Sequence, residues 1–459
     1  MQTQDSASHS AAVNPLLPGI RIYAVIGFCD IHHFEDINQL NQWQYNNSIE
    51  ENVILEEFWP RNNLYPSFNH VTGYLQYQGF LEKPIKGLEK AYNTLLEGKI
   101  ITHKIFMDTH QNIINSYKEG DYISGKNLHT TLFIKGQLYA EQLFKDFKGG
   151  IVVMNHRGEI LVDFSAPILH TYDKTPIKNN YFLHKTLQEQ YPPGSIFKII
   201  SLISLLQMNI PLETVTCTGY ILIGNRKFHC VKRRSHGVID NIYDAFKYSC
   251  NIFFYKNCYR MDNFLHQFYL NLQELGFNNT TQNILKEEIS AKIKRPNNKM
   301  QTMLMSIGQG FANTTILQNC KMITSVMTGK KITPTFVKHH LPSSSLTIST
   351  EILKKLQECI RLTFTPGGTC GQLKKNGFDF FGKTGTAQVM SFKTSSDNPK
   401  KIYRKEHSVF VGGETNSQLY VSVLVENAGF GSSTAGVFAV KLLEFIIKNY
   451  PNTLPVKDD

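Results

Sequence analysis

Apolar residues at Leu88, Ala91, Tyr92, Leu95 and Leu96 fall at i, i+3, i+4, i+7 and i+8, the single stripe of an amphipathic helix, and Gly98 suits its end. Around this stripe, residues 20–125 are short polar segments rich in Asn, Pro and Gly, which predicts an irregular first domain. Residues 1–19 read as a flexible tail. From residue 126 the pattern sharpens. Gly136–Phe147 reads as a helix, and Ile151–Met154, Asn155-His156-Arg157-Gly158 and Ile160–Phe164 read as a hairpin. Residues 196–330 are mostly helical in pattern, with Ile242–Tyr248 and Ile252–Tyr259 as helices. Strand-like runs follow at Phe378–Met390, Ser408–Val411 and Leu419–Glu426, with the hairpin-length link Glu414–Gln418 before the last. Val437–Ile447 reads as a closing helix. Strands at both ends with helices between predict an α+β domain over 126–459: one antiparallel sheet closed by the first and last segments, with an inserted helical lobe.

Composition adds bounds. The 459 residues suffice for three average domains or two larger ones, and 41% apolar with 19% charged residues is the balance of a folded chain. Lysine and arginine total 48 against 37 acids, a net charge of +11 that permits an acidic polymer, anionic lipid or nucleic acid as partner and selects none. The basic runs Lys232–Arg234 and Lys292–Arg295 read as solvated faces. No stretch reaches the roughly 18 apolar residues of a membrane helix; Ile20–Phe28 holds Arg21 and Ile199–Met208 is short. The first residues lack the basic start and apolar middle of a secretory signal. Eight cysteines include no Cys-x-x-Cys pair. Cys217, His229, Cys230 and His236 form one local group, but adjacent His229 and Cys230 do not easily share one tetrahedral zinc, so no metal is expected. A Cys217–Cys230 disulfide in an oxidising compartment and buried free thiols both remain open.

Three segments carry chemistry. In Tyr191-Pro192-Pro193-Gly194-Ser195-Ile196-Phe197-Lys198, prolines and a glycine break the chain before an apolar helical run. Ser195 then stands at a helix N-terminus with Lys198 one turn on, a nucleophile beside a base. A capping serine before a surface lysine is the bland alternative. Ser249-Cys250-Asn251, between two helical runs, offers a hydroxyl and an amide. Two other Ser-x-Asn runs, Ser67-Phe68-Asn69 and Ser396-Asp397-Asn398, read as chance and loop. Lys383-Thr384-Gly385-Thr386 lies on a strand whose alternation points Lys383 and Gly385 one way, Thr384 and Thr386 the other. Residues Gly377 to Thr384 also match the P-loop pattern literally, but Phe378-Asp379-Phe380-Phe381 is bulky and the continuation is a poor helix start. The pairs His32-His33 and His339-His340 read as solvent-exposed.

Taken in order, Ser-x-x-Lys at 195, Ser-x-Asn at 249 and Lys-Thr-Gly at 383 resemble the motifs of the penicillin-interacting serine acyltransferases, most closely the class B penicillin-binding proteins of elongation type. The Cys217…Cys230…His236-Gly237…Ser249–Phe254 segment, Ser306-Ile307-Gly308-Gln309-Gly310, Gly382–Gln388 and Leu424-Val425-Glu426-Asn427 extend the resemblance, as do His70-Val71-Thr72-Gly73-Tyr74 and Gly87-Leu88-Glu89 in the first domain. The family's membrane-spanning N-terminal helix and its Arg-Gly-x-Ile-x-Asp-Arg segment have no match, and the first 60 residues match poorly.

The resemblance implies a transpeptidase-like sheet with a helical lobe on a non-catalytic pedestal (20–125). The implied enzyme is a peptidoglycan D,D-transpeptidase in which Ser195 is acylated, Lys198 is its base and Ser249 relays the proton. Asn251 would hold a substrate amide; Lys383 would supply positive potential, Thr384 and Thr386 would grip the terminal carboxylate, and Gly385 would let the substrate backbone approach the strand edge; Ser195 and Thr386 would supply oxyanion N–H groups. It further implies no cofactor, a periplasmic site at the inner membrane, and a setting in which Cys217 and Cys230 are disulfide candidates. Stem peptides, β-lactams, a membrane glycosyltransferase and other elongation-complex proteins would be the partners, and nucleic acid would not. A β-lactamase or D,D-carboxypeptidase with the same residues, and a non-catalytic scaffold, are the alternatives.

Overall fold

The run Gly-Gly-Ile-Val-Val-Met-Asn, apolar at consecutive positions, suits a strand covered on both faces. In the computed structural model it is β1 (Gly149–Asn155), paired antiparallel with β2 (Ile160–Ala166) through the expected hairpin. The structure describes residues 65–78, 81–97, 102–107, 113–119, 125–169, 182–281, 284–338, 343–391, 403–429, 431 and 433–450, and four further strands, Ala12–Val13, Gly19–Ile26, Asp30–Phe34 and Val53–Phe58. These residues divide into two units, one built from Pro66–Val71 and the chain from Thr131 onward, the other from 12–65 and 72–130.

In the larger unit the sheet continues through β3 (Phe380–Ser391), β4 (Tyr403–Glu414) and β5 (Leu419–Val425), in the order β2-β1-β5-β4-β3. All neighbours are antiparallel, and the first and last segments of the domain lie side by side as β1 and β5. Helices α1 (Ile134–Leu143) and α9 (Ala435–Asn449) cover one face. There Ile151, Val153, Val421, Val423 and Val425 pack with Phe144, Phe438, Leu442 and Ile446. Helix α7 (Ile316–Thr328) covers the other face, with Cys320 Sγ against the Val152 carbonyl. Alternate residues of one strand thus enter different cores, which accounts for the unbroken apolar run. Helix α7 begins at a reciprocal Thr315–Gln318 capping box and stops at Gly329, whose φ of 71° ends it in the left-handed region.

The lobe between β2 and β3 contains α2 (Lys198–Gln207), α3 (Ile242–Lys247), α4 (Asn251–Arg260), α5 (Phe264–Glu274), α6 (Lys299–Ser306) and α8 (Thr350–Leu362). Helix α2 packs on α5 and α8, and α4 on α6. Within the 196–330 stretch sit three strand pairs the periodicity did not show, Val215–Cys217 with Gly237–Ile239, Tyr220–Ile223 with Arg226–His229, and Lys292–Ile293 with Ala312–Asn313. The strand Tyr220–Ile223 is apolar at all its positions, with Tyr220 and Leu222 exposed, so it has no apolar/polar alternation for a period-two signal to mark.

In the smaller unit, Gly19–Ile26 pairs with Asp30–Phe34 and Val53–Phe58, Leu75–Gln78 with Leu81–Pro84, and Thr102–Met107 with Ile113–Glu119. The helix expected at 88–96 forms as two short pieces, Gly87–Ala91 and Asn93–Leu96, broken at Tyr92 among residues of weak helix propensity. Leu88 and Leu96 are buried; Gly98 lies outside the described residues. Of the expected tail, only Ala12–Val13 and Gly19 are described.

Candidate active site

The nucleophile segment is held by glycines at close backbone approaches. Gly194–Phe197 forms a single 3-10 turn leading into α2, so Ser195 stands one turn before the α-helix rather than at its first residue. Three residues per turn eclipse positions i and i+3, which puts Ser195 and Lys198 on one side. Gly194 has φ 60°, and a Cβ there would lie 2.7 Å from the Thr386 carbonyl oxygen. Gly308, with φ 72°, accepts the Gly194 N–H at 3.0 Å, and its own Cβ would meet the Gly194 oxygen at 2.1 Å. Gln309 Nε2 donates to the Thr386 carbonyl at 3.2 Å. The Ser306–Gly310 run thus seats the Ser195 turn against β3. No sequence signal apart from the family resemblance pointed to that role.

Ser249 occupies the corner between α3 and α4 with φ 54°, a conformation that is strained for a residue with a Cβ. The corner delivers its side chain to both lysines. Lys198 Nζ lies 2.7 Å from the Ser249 carbonyl, 3.0 Å from Ser249 Oγ and 2.6 Å from Asn251 Oδ1. Lys383 Nζ lies 2.9 Å from Ser249 Oγ and 3.2 Å from the Thr384 carbonyl. Ser195 Oγ makes no hydrogen bond among the described residues and is partly exposed, while Lys198 and Lys383 are fully buried. Burial, reinforced by the Lys383 charge, lowers Lys198 to about 7. Burial lowers Lys383 to about 8. A neutral Lys198 fits its surroundings: two N–H groups for the Ser249 and Asn251 carbonyl oxygens and one lone pair able to accept a proton, with Ser249 Oγ accepting from Lys383.

Strand β3 is the free edge of the sheet. Since Gln309 reaches the Thr386 carbonyl from outside the sheet, that carbonyl points away from β4. In an antiparallel strand the N–H and C=O of one residue point the same way, so the Thr386 N–H also faces the Ser195 turn. The alternation matches the sequence pattern: Lys383 and Gly385 are buried, and Thr384 and Thr386 are half-buried in the wall of a cleft of about 1210 Å³. Ser195, Ser249, Asn251 and Gln309 line the same cleft. Residues 377–384 are a turn and a strand entry with no helix after them, which removes the phosphate-loop reading. Ser67 and Phe68 are buried in the 3-10 turn Pro66–Phe68, and Asn69 Nδ2 donates to the Leu169 carbonyl, which is structural work. Ser396-Asp397-Asn398 and His339-His340 lie outside the described residues.

The cysteine group differs from expectation. Cys217 and Cys230 are free thiols rather than a disulfide, and His236 Nδ1 lies 3.5 Å from Cys217 Sγ and 3.4 Å from Cys230 Sγ. Cys250 Sγ lies 3.8 Å from Cys230 Sγ. All four donor atoms fall within 4.8 Å of one another. A tetrahedral zinc with Zn–S of about 2.3 Å and Zn–N of about 2.0 Å requires about 3.8 Å between sulfurs and about 3.5 Å from sulfur to nitrogen. The residues therefore fit the ion. The argument against zinc concerned His229; the structure uses His236, and draws in Cys250 from a residue sandwiched between Ser249 and Asn251. Hydrogen bonding with Cys250 and His236 holds the Cys230 thiol far below its usual value, to about 3.

A buried ionic group behind the nucleophile also had no clear sequence signal. Lys185 Nζ lies 2.5 Å from both Glu189 and Glu426, and Tyr191 OH donates to Glu426 at 2.8 Å. Burial works to lower Lys185, but the two carboxylates outweigh it and hold the ammonium above its ordinary value. Tyr191 opens the Pro-Pro-Gly-Ser turn, so this group fixes where the turn begins.

A free-edge strand, a serine on a glycine-seated turn and two buried lysines meeting at a second serine thus come together at one cleft. The chain belongs to the family of the penicillin-binding protein transpeptidase domain, which matches residues 149–444. It is 25% identical to the peptidoglycan D,D-transpeptidase MrdA of Haemophilus influenzae over 79% of this chain and 62% of that protein. Against the Acinetobacter baumannii MrdA it is 26% identical over 76% of this chain and 58% of that protein. The chain thus spans about three fifths of the length of these relatives. A solved complex of penicillin-binding protein PBP2 with MreC from Helicobacter pylori has the same fold, with a TM-score of 0.76, 19% identity, and coverage of 96% of this chain and 95% of that one.

Proposed function

We propose that the chain is a peptidoglycan D,D-transpeptidase of elongation type. The observation that carries this reading is the meeting of Lys198 and Lys383 at Ser249 Oγ in the cleft that exposes Ser195. Ser195 Oγ attacks the carbonyl carbon of the penultimate D-Ala of a stem peptide and gives its proton to neutral Lys198. The N–H groups of Ser195 and Thr386 hold the oxyanion. As the C–N bond breaks, the proton passes from Lys198 through Ser249 to the departing D-Ala amine. An amine of a second stem peptide then attacks the ester, the Oγ–C bond breaks, and Ser195 regains a proton. Asn251 spends one N–H on the His229 carbonyl and one lone pair on Lys198, and keeps one of each for a substrate amide. Thr384 and Thr386 receive the terminal carboxylate, Lys383 adds positive potential behind them, and Gly385 lets the substrate backbone approach the strand edge.

In this reading Cys217, Cys230, His236 and Cys250 hold a structural zinc ion, whose four protein ligands leave no position for substrate. The reading places the chain at the periplasmic face of the inner membrane, working with a membrane glycosyltransferase and other elongation-complex proteins. The MreC complex of the Helicobacter pylori neighbour supports that setting. Among the described residues no helix is long and apolar enough to cross a membrane.

Intact-mass spectrometry after benzylpenicillin tests the proposal. One long-lived adduct on Ser195, absent in Ser195→Ala, is expected. Rapid loss of the adduct would make the chain a β-lactamase, and a folded protein without an adduct would make it a scaffold.

A further inference from the structure

Between two of the zinc donors, Cys230 and His236, the chain presents two arginines to the cleft. The backbone of this segment is held throughout: Arg233 N–H donates to the Cys230 carbonyl at 3.0 Å, Arg234 N–H to Val231 at 3.1 Å, and His236 N–H to Cys217 at 3.2 Å. Ser235 Oγ donates to the Cys217 carbonyl at 2.6 Å. Arg233 itself has φ 54°, a second strained non-glycine position in the cleft wall after Ser249. Both arginine side chains are exposed, both line the cleft that contains Ser195, and neither has an ion-pair partner among the described residues. Lys227 stands on the same wall over the Tyr220 ring. Among the described residues the cleft lining sets one acid, Glu406, against these three cations.

A hydrogen-bonded backbone under two guanidinium groups that lack an ion-pair partner among the described residues is preorganised for an anion, and the planar fork of arginine fits a carboxylate with two parallel N–H···O bonds. In the proposed mechanism the terminal carboxylate of the donor peptide is already met by Thr384 and Thr386, with the Lys383 charge behind them. We propose that Arg233 and Arg234 form a subsite for a second free carboxylate of the acyl-donor peptide, carried upstream of its D-Ala–D-Ala end. The proposal rests on the transpeptidase reading and names a specificity element within it.

The test uses two synthetic pentapeptides ending in D-Ala–D-Ala, identical except that the third residue carries a side-chain carboxylate or its carboxamide. Each competes with a fluorescent penicillin for labelling of Ser195 in the full chain. With the native protein the carboxylate peptide should compete about three- to tenfold better, and the advantage should shrink as salt is raised. In Arg233→Gln/Arg234→Gln the two peptides should compete alike, with the melting temperature reporting that the fold is kept. In Lys292→Gln/Arg295→Gln, an equal loss of charge at exposed positions outside the cleft lining, the advantage should persist. Equal competition in the native protein, an advantage that survives the double arginine substitution, or an equal loss in the lysine–arginine control would each overturn the subsite. Absence of penicillin labelling in the native protein would instead overturn the transpeptidase reading.

Discussion

At the scale of single residues the site turns on one lysine being neutral when most lysines are charged. Lys198 is lowered to about 7 by burial and by Lys383, and Lys383 to about 8 by burial. Acylation by benzylpenicillin needs Lys198 without its proton and Lys383 with one. Its rate should therefore rise with pH through about 7 and fall above about 8, a narrow bell whose two limbs belong to the coupled pair. A rate independent of pH between 6 and 9 would remove Lys198 from the base role. Lys198→Arg keeps the charge and cannot lose it near neutrality, so it should slow acylation by about a hundredfold or more, measured by stopped-flow labelling. The identities of Ser195, Lys198, Ser249 and Lys383 were legible in the chain. The contact pattern was not: Lys198 bonds Ser249 and Asn251, since the strained corner at Ser249 is a tertiary feature that no local propensity encodes.

At the scale of elements, the Ser195 turn is placed by its neighbours more than by its own residues. Gly308 touches it where no Cβ fits, so Gly308→Ala should lower the acylation rate at least tenfold and cost about 1–3 kcal/mol in a denaturant titration. The Cys217–His236 arm, by contrast, is closed by side chains. Purified protein should contain a single zinc ion per chain by elemental analysis. Cys250→Ser should lose the ion and lower the melting temperature by several degrees, because a closed structural site contributes directly to folding. Retention of full stability in metal-free protein would leave the four residues as a thiol cluster. The long strands and closing helix were visible as periodic runs. The small strands of the arm were not, because they are three or four residues long and neither Tyr220–Ile223 nor Arg226–His229 alternates apolar with polar positions.

At the scale of the whole molecule, the larger unit is not one continuous run of chain. Pro66–Val71 joins it from outside the 131–459 stretch, and Gln137 is the link. Gln137 Nε2 donates to the carbonyls of Ser67 and Asp163 at 2.9 and 2.6 Å, and its Oε1 accepts the Asp163 N–H at 3.1 Å. Gln137 is fully buried, so Gln137→Ala strands three backbone groups and should cost about 3 kcal/mol, read as a shift in the urea midpoint. A change below about 0.5 kcal/mol would show that water or relaxation replaces these bonds. Nothing in the spacing of residues 67, 137 and 163 foretells the contact.

Sequence alone determined the order of motifs, the antiparallel sheet closed by its first and last segments, and the lobe between them. Those properties depend on local residue type and on apolar periodicity, both of which are written along the chain. Tertiary structure decided what depends on approach between distant segments. It lowered two lysines by burying them side by side, replaced a candidate disulfide by a four-donor cluster through Cys250 and His236, and set on the cleft wall two arginines that have no ion-pair partner among the described residues. The reason is common to all three. Desolvation, donor geometry and charge pairing are functions of distance in space, and residues such as 198, 249 and 383 acquire their distances only when the sheet edge, the helix corner and the 3-10 turn have closed around one cleft.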